Sequence, residues 1–231
     1  MLYFDSTYLV VIPAIIFALI AQLMVKSSFN KYSKVKNEYG YTARDVARRI
    51  LDDNGLHNIN IEHISGNLTD HFDPSSNVIR LSDTVYSSTS VAAIGVAAHE
   101  VGHAIQHAQG YSPIKIRQAI IPVTRIGSNL AVPLVIIGMI FSTLEWLIPV
   151  GIFLYTGVVF FQAVTLPVEF NASSRALKTL ESNNILQPGE IKMSRKVLTA
   201  AAMTYVAAMF SSLMSLLRLI LIANRGRKGN L

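Results

Sequence analysis

None of the 231 residues is cysteine. Disulfides, iron–sulfur clusters and thiolate zinc sites are therefore excluded, and any metal must be held by His, Asp or Glu. Charge is also scarce: Asp, Glu, Lys and Arg make up 15% of the chain, against about 25% in average soluble usage. With apolar residues at 51%, this excludes a disordered chain or a nucleic-acid-binding tail. Acidic residues are the scarcer sign, 14 against 20 basic, for a net charge of +6. Where those basic residues fall matters more than their excess.

Long apolar tracts take the place of the missing charge. Residues 8–25 hold only Gln22 as a strongly polar member; as a helix they would span about 27 Å, close to the ~30 Å hydrocarbon core. Only Asp5 is charged before them, so the basic start of a cleavable signal peptide is missing, and no small-residue cleavage site follows. The reading is a retained anchor at 8–25. Residues 126–168 are interrupted only by Glu145. One helix of that length would be about 64 Å, twice the bilayer. The tract must therefore fold back at Glu145-Trp146 as a transmembrane hairpin, with Trp146 at the interface. A last tract, 197–223, carries Arg218 and many small residues suited to close helix packing.

Sixteen of the 20 Lys and Arg lie in 26–125 and 169–196. The positive-inside rule puts both segments in the cytoplasm. Arg225, Arg227 and Lys228 disagree if 197–223 crosses fully, so that helix either tolerates three trailing charges or re-enters. The basic run 26–36 abuts a span and is read as attracting anionic lipid head groups rather than nucleic acid.

Outside the tracts, Thr42 caps a helix whose Ala43, Val46, Ala47, Ile50 and Leu51 share one face, and Asn54-Gly55 stops it. Period-two patterning between residues 59 and 81, broken by the turn Asp73-Pro74-Ser75-Ser76-Asn77, predicts two or three short strands. Residues 78–81 are either a sheet-edge strand able to pair with an extended substrate or an ordinary interior strand. Helical spacing returns from Ser90 to Gln109, with Gly110 as the stop. An amphipathic helix at about 113–125 is expected along the membrane surface.

The helix from Ser90 reads Ala-Ala-His-Glu-Val-Gly-His-Ala over residues 97–104. His99 and His103, four apart, project from one face, so both imidazoles can reach one zinc at about 2.0–2.1 Å. Glu100 is displaced around the helix, where it can act as a general base on the metal's water without ligating. The alternative is a helix carrying structural His–Glu pairs. A third ligand must come from elsewhere. Gln109 stands where the longer H-E-x-x-H-x-x-G-x-x-H pattern has its last histidine, and Gln106 replaces that pattern's glycine. His107 lies about 12 Å along the axis from His99, and no histidine follows it. Glu169 is the candidate. It follows Pro167, which suits the first turn of a helix leaving the hairpin, and two crossings would return it to the side of His99. Its alternative role is an interfacial carboxylate paired with Arg175 or Lys178. Asp70-His71-Phe72-Asp73 is either a second metal cluster or a turn.

These residues resemble the zincin metallopeptidases with a Glu third ligand. More closely, the chain is similar to a family of bacterial membrane proteins described as neutral zinc metallopeptidases (YugP type). The likeness is carried by Leu-Thr-Asp-His-Phe-Asp-Pro (68–74), Val-Ile-Arg-Leu-Ser (78–82), Ala-Ala-His-Glu-Val-Gly-His-Ala-Ile-Gln-His (97–107), Pro-Val-Glu-Phe-Asn-Ala-Ser (167–173) and Ala-Ala-Met-Thr-Tyr-Val-Ala-Ala (201–208). The resemblance implies zinc held by His99, His103 and Glu169, Glu100 as base, and peptide-bond hydrolysis. Related Glu zincins often carry an acidic residue four after the ligand; here it is Ser173, so Asn171, Ser173 or Asp83 is expected to orient the histidines. Tyr205, Tyr111 and Arg175 are the candidates for oxyanion stabilisation.

The expected architecture is mainly α: a multi-span helical membrane protein with a small α/β zincin-like catalytic subdomain. Its segments are an anchor (8–25), a catalytic segment (26–125), a hairpin (126–168), a third-ligand helix and loop (169–196) and a fourth membrane helix (197–223). The expected function is that of a zinc metalloendopeptidase of the bacterial cell membrane. It would act from the cytoplasmic side on peptide or protein substrates near the bilayer, without nucleic acid. The alternatives are a catalytically inactive zinc-binding scaffold and a transporter or channel accessory, for which Arg218 is the one intramembrane ionisable candidate.

Overall fold

A chain with this many apolar runs must satisfy its backbone hydrogen bonds locally wherever water is absent, and helices do this within one segment. The computed structural model, which describes residues 6–229, is accordingly mainly helical. After a 3-10 turn at Ser6–Val10 come α1 (Ile12–Tyr32), α2 (Ala43–Asp53), β1 (Asn60–Ile64), β2 (His71–Asp73), β3 (Val78–Ser82) and α3 (Val91–Ala108). Then follow α4 (Ser112–Ile140), a second 3-10 turn at Ser142–Leu144, α5 (Leu147–Ser182) and α6 (Pro188–Gly229). Among the described residues, four helices, α1, α4, α5 and α6, are long and apolar enough to cross a membrane by length and composition. Asp5 and the side chains of Arg225, Arg227 and Lys228 lie outside the described residues.

The chain divides into two units. One comprises residues up to Ala21, Ile116–Leu166 and residues from Thr204 onward. Within it α4 and α5 form the hairpin, turning at residues 141–146. Their contact depends on glycine: a Cβ on Gly151 would stand 2.6 Å from the Ala131 carbonyl oxygen, and one on Gly127 2.8 Å from that of Leu154. Small residues give this close backbone approach where lipid supplies no hydrophobic drive between helices. Phe17 of α1 meets Phe210 of α6 edge to face at 6.1 Å. The Arg218 guanidinium lies 3.8 Å from the Tyr8 ring centroid, and its Nε donates to Thr7 Oγ1. The aromatic face meets a charge that hydrocarbon would solvate poorly.

The second unit comprises Gln22–Lys115 and Pro167–Met203. Helix α2 starts and stops as its sequence dictates. The Thr42 hydroxyl oxygen accepts from the Asp45 N–H at 3.1 Å, and Gly55 ends the turn at φ +71°. Val46, Ala47, Ile50 and Leu51 are all buried. At the centre lies α3, apolar almost all round as befits a helix enclosed by others, and capped by Ser90 through the Ala93 N–H. Its core includes Phe29 and Tyr32 of α1, Ile79 and Leu81 of β3, Ala176, Leu177 and Leu180 of α5, and Val197 and Leu198 of α6.

Two expectations are corrected here, and one open alternative is decided. No separate helix covers 113–125: it is the start of α4, which runs through Pro122 and Pro133. Neither proline stops the helix, each removing one ladder bond in a segment whose neighbours stay helical. Pro167, expected in the first turn of a new helix, sits inside α5. Of the two alternatives for residues 78–81, the interior strand is the one found. The sheet order is β1-β3-β2, with β1 parallel and β2 antiparallel to β3. The buried pattern Val-Ile-x-Leu-Ser fits a central strand covered on both faces. The edge strand that borders α3 is β2.

Candidate metal centre

Helical spacing of four places His99 and His103 one turn apart on α3, their rings 4.7 Å between centroids and nearly perpendicular. Glu169 reaches them from α5. Its carboxylate is 2% exposed, and Oε2 lies 3.3 Å from His99 Nε2 and 3.5 Å from His103 Nε2. Ligand atoms of all three residues fall within 4.8 Å of one another.

Those separations discriminate between two chemistries. A charge-assisted hydrogen bond between imidazolium and carboxylate closes to about 2.7–2.9 Å. Two ligands of a tetrahedral zinc, each about 2.05 Å from the ion, stand about 3.4 Å apart. The 3.3 and 3.5 Å from Glu169 Oε2 to the two Nε2 atoms are longer than such a bond and close to two edges of a zinc tetrahedron. The donor set, two imidazoles and one carboxylate, is the His₂Glu combination that leaves a fourth position open. These three residues fit a zinc ion.

The outer nitrogens of both rings are engaged. His99 Nδ1 lies 3.1 Å from Ser173 Oγ on α5, and His103 Nδ1 lies 3.1 Å from Gln106 Oε1 on α3. So α5 offers Glu169 and, one turn on, the hydroxyl that faces the first histidine. Asn171 approaches His103 only through Gln106. Asp83 accepts from the Gly66 N–H and faces His63 Nε2 instead. Arg175 does not serve Glu169 in the described contacts: its Nε donates to Asn171 Oδ1, its Nη1 to Gln109 Oε1, and it lies over the Tyr111 ring. Tyr205 belongs to the other unit.

Glu100 is 8% exposed, and its carboxylate accepts the Phe72 N–H of β2 at 3.0 Å. That N–H points away from β3, as it must for a residue at a non-hydrogen-bonded position of an antiparallel pair. Asp70, just before β2, accepts from the Ser82 N–H and hydroxyl at 2.7 and 3.0 Å. Burial raises the Asp70 pKa, the two Ser82 hydrogen bonds oppose this, and the nearby charge of Glu100 adds to the rise. His103 is pulled both ways: burial disfavours its charged form, but Glu169 and then Glu100 more than offset this and hold its pKa above the ordinary value.

The Asp70-His71-Phe72-Asp73 stretch does not converge on a point. Asp73 accepts from Ser75, Ser76 and Arg80, which hold its carboxyl far below the usual range, and His71 Nδ1 faces the Thr69 carbonyl. His107 packs its ring on Phe72. Among the described residues, only His99, His103 and Glu169 form a group able to hold a metal. The residue missed by sequence reasoning is Gln106. It is wholly buried and touches His103, Val168 and Asn171 at once; its one sequence signal is its place three residues after a ligand on the same helix.

Comparison with known proteins gives a consistent picture. A family model described as "Putative neutral zinc metallopeptidase" matches residues 7–224. The chain is 49% identical over 210 residues to a Bacillus subtilis (strain 168) protein named "Putative membrane protease YugP", covering 91% of this chain and 93% of that one. No solved structure matches it.

Proposed function

This chain belongs to the family described as "Putative neutral zinc metallopeptidase", and from that premise we propose that it is a membrane-embedded zinc metalloendopeptidase of the zincin type, with His99, His103 and Glu169 as ligands and Glu100 as general base. The observation that carries the reading is the convergence of two imidazole Nε2 atoms on one buried carboxylate oxygen at zinc-like spacing, with Glu100 one position further along α3.

A zinc ion bound there supplies a water of pKa about 7 and polarises the scissile carbonyl. The remaining work falls to the chain. Glu100 takes the proton from the attacking water and returns it to the leaving amine, the task of a carboxylate placed beside the reacting atoms but outside the ligand set. The Phe72 N–H fixes the direction of that carboxylate. Ser173 and Gln106 orient the two histidines. An extended substrate would pair with the side of β2 away from β3 through main-chain groups such as the Phe72 carbonyl, the Phe72 N–H being already engaged by Glu100. Recognition through main-chain bonds fits segments that are already unfolded or newly emerged beside the bilayer.

The setting supports this. Among the described residues four helices can cross a membrane by length and composition, the Bacillus relative is named "Putative membrane protease YugP", and the basic residues cluster in 26–125 and 169–196. The active site accordingly belongs at the cytoplasmic face of the cell membrane.

Purified protein should hold one zinc per chain and cleave casein-derived peptides. A chelator should stop cleavage and added zinc restore it. His103→Ala and Glu169→Ala should each lose the zinc, because two remaining ligands bind too weakly. Stoichiometric zinc without any turnover would indicate a scaffold instead, and an unchanged zinc content in Glu169→Ala would remove that residue from the ligand set.

A further inference from the structure

A neutral imidazole carries its proton on one nitrogen and a lone pair on the other, and only the lone pair can bind a metal. The structure contains the means of deciding this for His103. Gln106, wholly buried, has an amide whose two ends are chemically distinct, and its surroundings dictate which end points where. On one side Gln106 faces the Val168 backbone carbonyl at 2.8 Å. A carbonyl can only accept, so the NH₂ group must be there. The same nitrogen faces Asn171 Oδ1 at 2.9 Å. That atom is itself fixed as oxygen, because Arg175 Nε, which is always protonated, donates to it at 2.7 Å. Two independent acceptors therefore assign the nitrogen, and the amide oxygen is left facing His103 Nδ1 at 3.1 Å. An oxygen lone pair there requires Nδ1 to be the donor.

We propose that Gln106 is a positioning residue that holds His103 as the Nδ1–H tautomer, so that Nε2 presents its lone pair toward Glu169 and the metal. The chain of constraint runs Arg175, Asn171, Gln106, His103. It begins at a guanidinium further along α5 and crosses to α3 on one buried amide, so the ring orientation of one ligand is tied to the helix that supplies another. His99 lacks this determination, because its partner Ser173 is a hydroxyl that can either donate or accept. This deepens the metallopeptidase reading and rests on it for the use to which the lone pair is put; with no metal bound, the Glu169 carboxylate 3.5 Å from Nε2 competes for the same proton, so the preference set by Gln106 is read with that carboxylate removed.

The test uses full-length Glu169→Ala protein in detergent, so that no carboxylate faces Nε2, labelled with ¹⁵N-histidine, freed of metal and brought to alkaline pH until the ring shifts stop changing. The His103 signals are assigned by their loss when His103→Gln is added. With Gln106 in place, His103 should be protonated at Nδ1. Adding Gln106→Met, of similar shape but with neither donor nor acceptor, should give a mixture of tautomers, and Gln106→Met alone should bind zinc roughly 10–100-fold more weakly than wild type in competition with a chelator. Folding of the variants is followed by circular dichroism. A His103 protonated at Nε2 in the Glu169→Ala protein would overturn the proposal, as would a folded Gln106→Met whose zinc affinity stays within twofold of wild type. If Gln106→Met does not fold, the tautomer in Glu169→Ala decides alone; if Glu169→Ala does not fold, the zinc affinity of Gln106→Met decides. Wild type that binds no zinc at all would defeat the metallopeptidase reading, while the ring spectrum would still decide for or against the tautomer.

Discussion

Glu100→Gln should keep its zinc and lose its activity. The substitution preserves shape and the ability to accept the Phe72 N–H, now through an amide oxygen, so the contact between α3 and β2 survives. Glu100 is not in the group whose ligand atoms lie within 4.8 Å of one another, so zinc stoichiometry and affinity should match wild type. What disappears is a basic oxygen at the place where a proton must be taken up. General-base catalysis contributes about 10²–10⁴ in rate, and turnover of a casein-derived peptide should fall by at least that range. The comparison with Glu169→Gln sharpens the result. There a ligand loses its charge, so zinc affinity and activity should decline together, whereas in Glu100→Gln only activity moves. A Glu100→Gln protein that cleaves peptide within a few-fold of wild type would assign the base elsewhere, and the role of Glu100 would reduce to holding the sheet edge against α3.

The parts of this molecule legible in its sequence are those set by short-range rules. Thr42, Asn54 and Gly55 bound α2, and Ser90 and Gly110 bound α3 and the turn after it, because caps and left-handed stops act within one turn of chain. The two histidines announce themselves by a spacing of four. Glu169 is legible for a different reason: no histidine follows His107, and an even number of crossings leaves few carboxylates able to meet α3. What stayed hidden depends on pairings distant in sequence. The interior place of β3 follows from β1 and β2 both choosing it as partner, which residues 78–82 alone do not reveal. Helix α4 runs unbroken from Ser112 because the amphipathic and apolar stretches share one helical ladder, and a change in which residues are apolar need not be a change in backbone. Pro167 is read locally as a beginning, yet it lies twenty residues into α5. Gln106 is the instructive case. In sequence it is only the residue that spoils a longer histidine pattern; in space it is the amide that three polar groups share.

Gly102→Ala should damage the metal centre although it touches no ligand. Gly102 stands between the two histidines on α3, and Ala172 stands between Glu169 and Ser173 on α5. A Cβ on Gly102 would come 2.6 Å from the Ala172 carbonyl oxygen and 3.2 Å from its Cα, all backbone atoms of a helix rather than a side chain that can swing aside. Reaching the 3.4 Å of ordinary contact requires α3 and α5 to separate by roughly 0.8 Å, several times the ±0.2 Å tolerance of zinc–ligand bonds. Alanine gains about 1 kcal/mol of helix propensity over glycine, but overpacking against rigid backbone costs about 1–3 kcal/mol, so global stability should change only modestly. The ligands come from opposite sides of the widened contact, so zinc affinity should fall by at least tenfold and peptide cleavage with it. Gly95→Ala is the control. It lies on the same helix, yet its Cβ would meet the Ser194 side chain at 3.3 Å, on α6 rather than α5, and a shift of a few tenths of an ångström leaves His99, His103 and Glu169 in place. Chelator competition on the two variants should therefore separate them by an order of magnitude. Equal and wild-type-like affinities would mean that the α3–α5 contact does not set the spacing of the ligands.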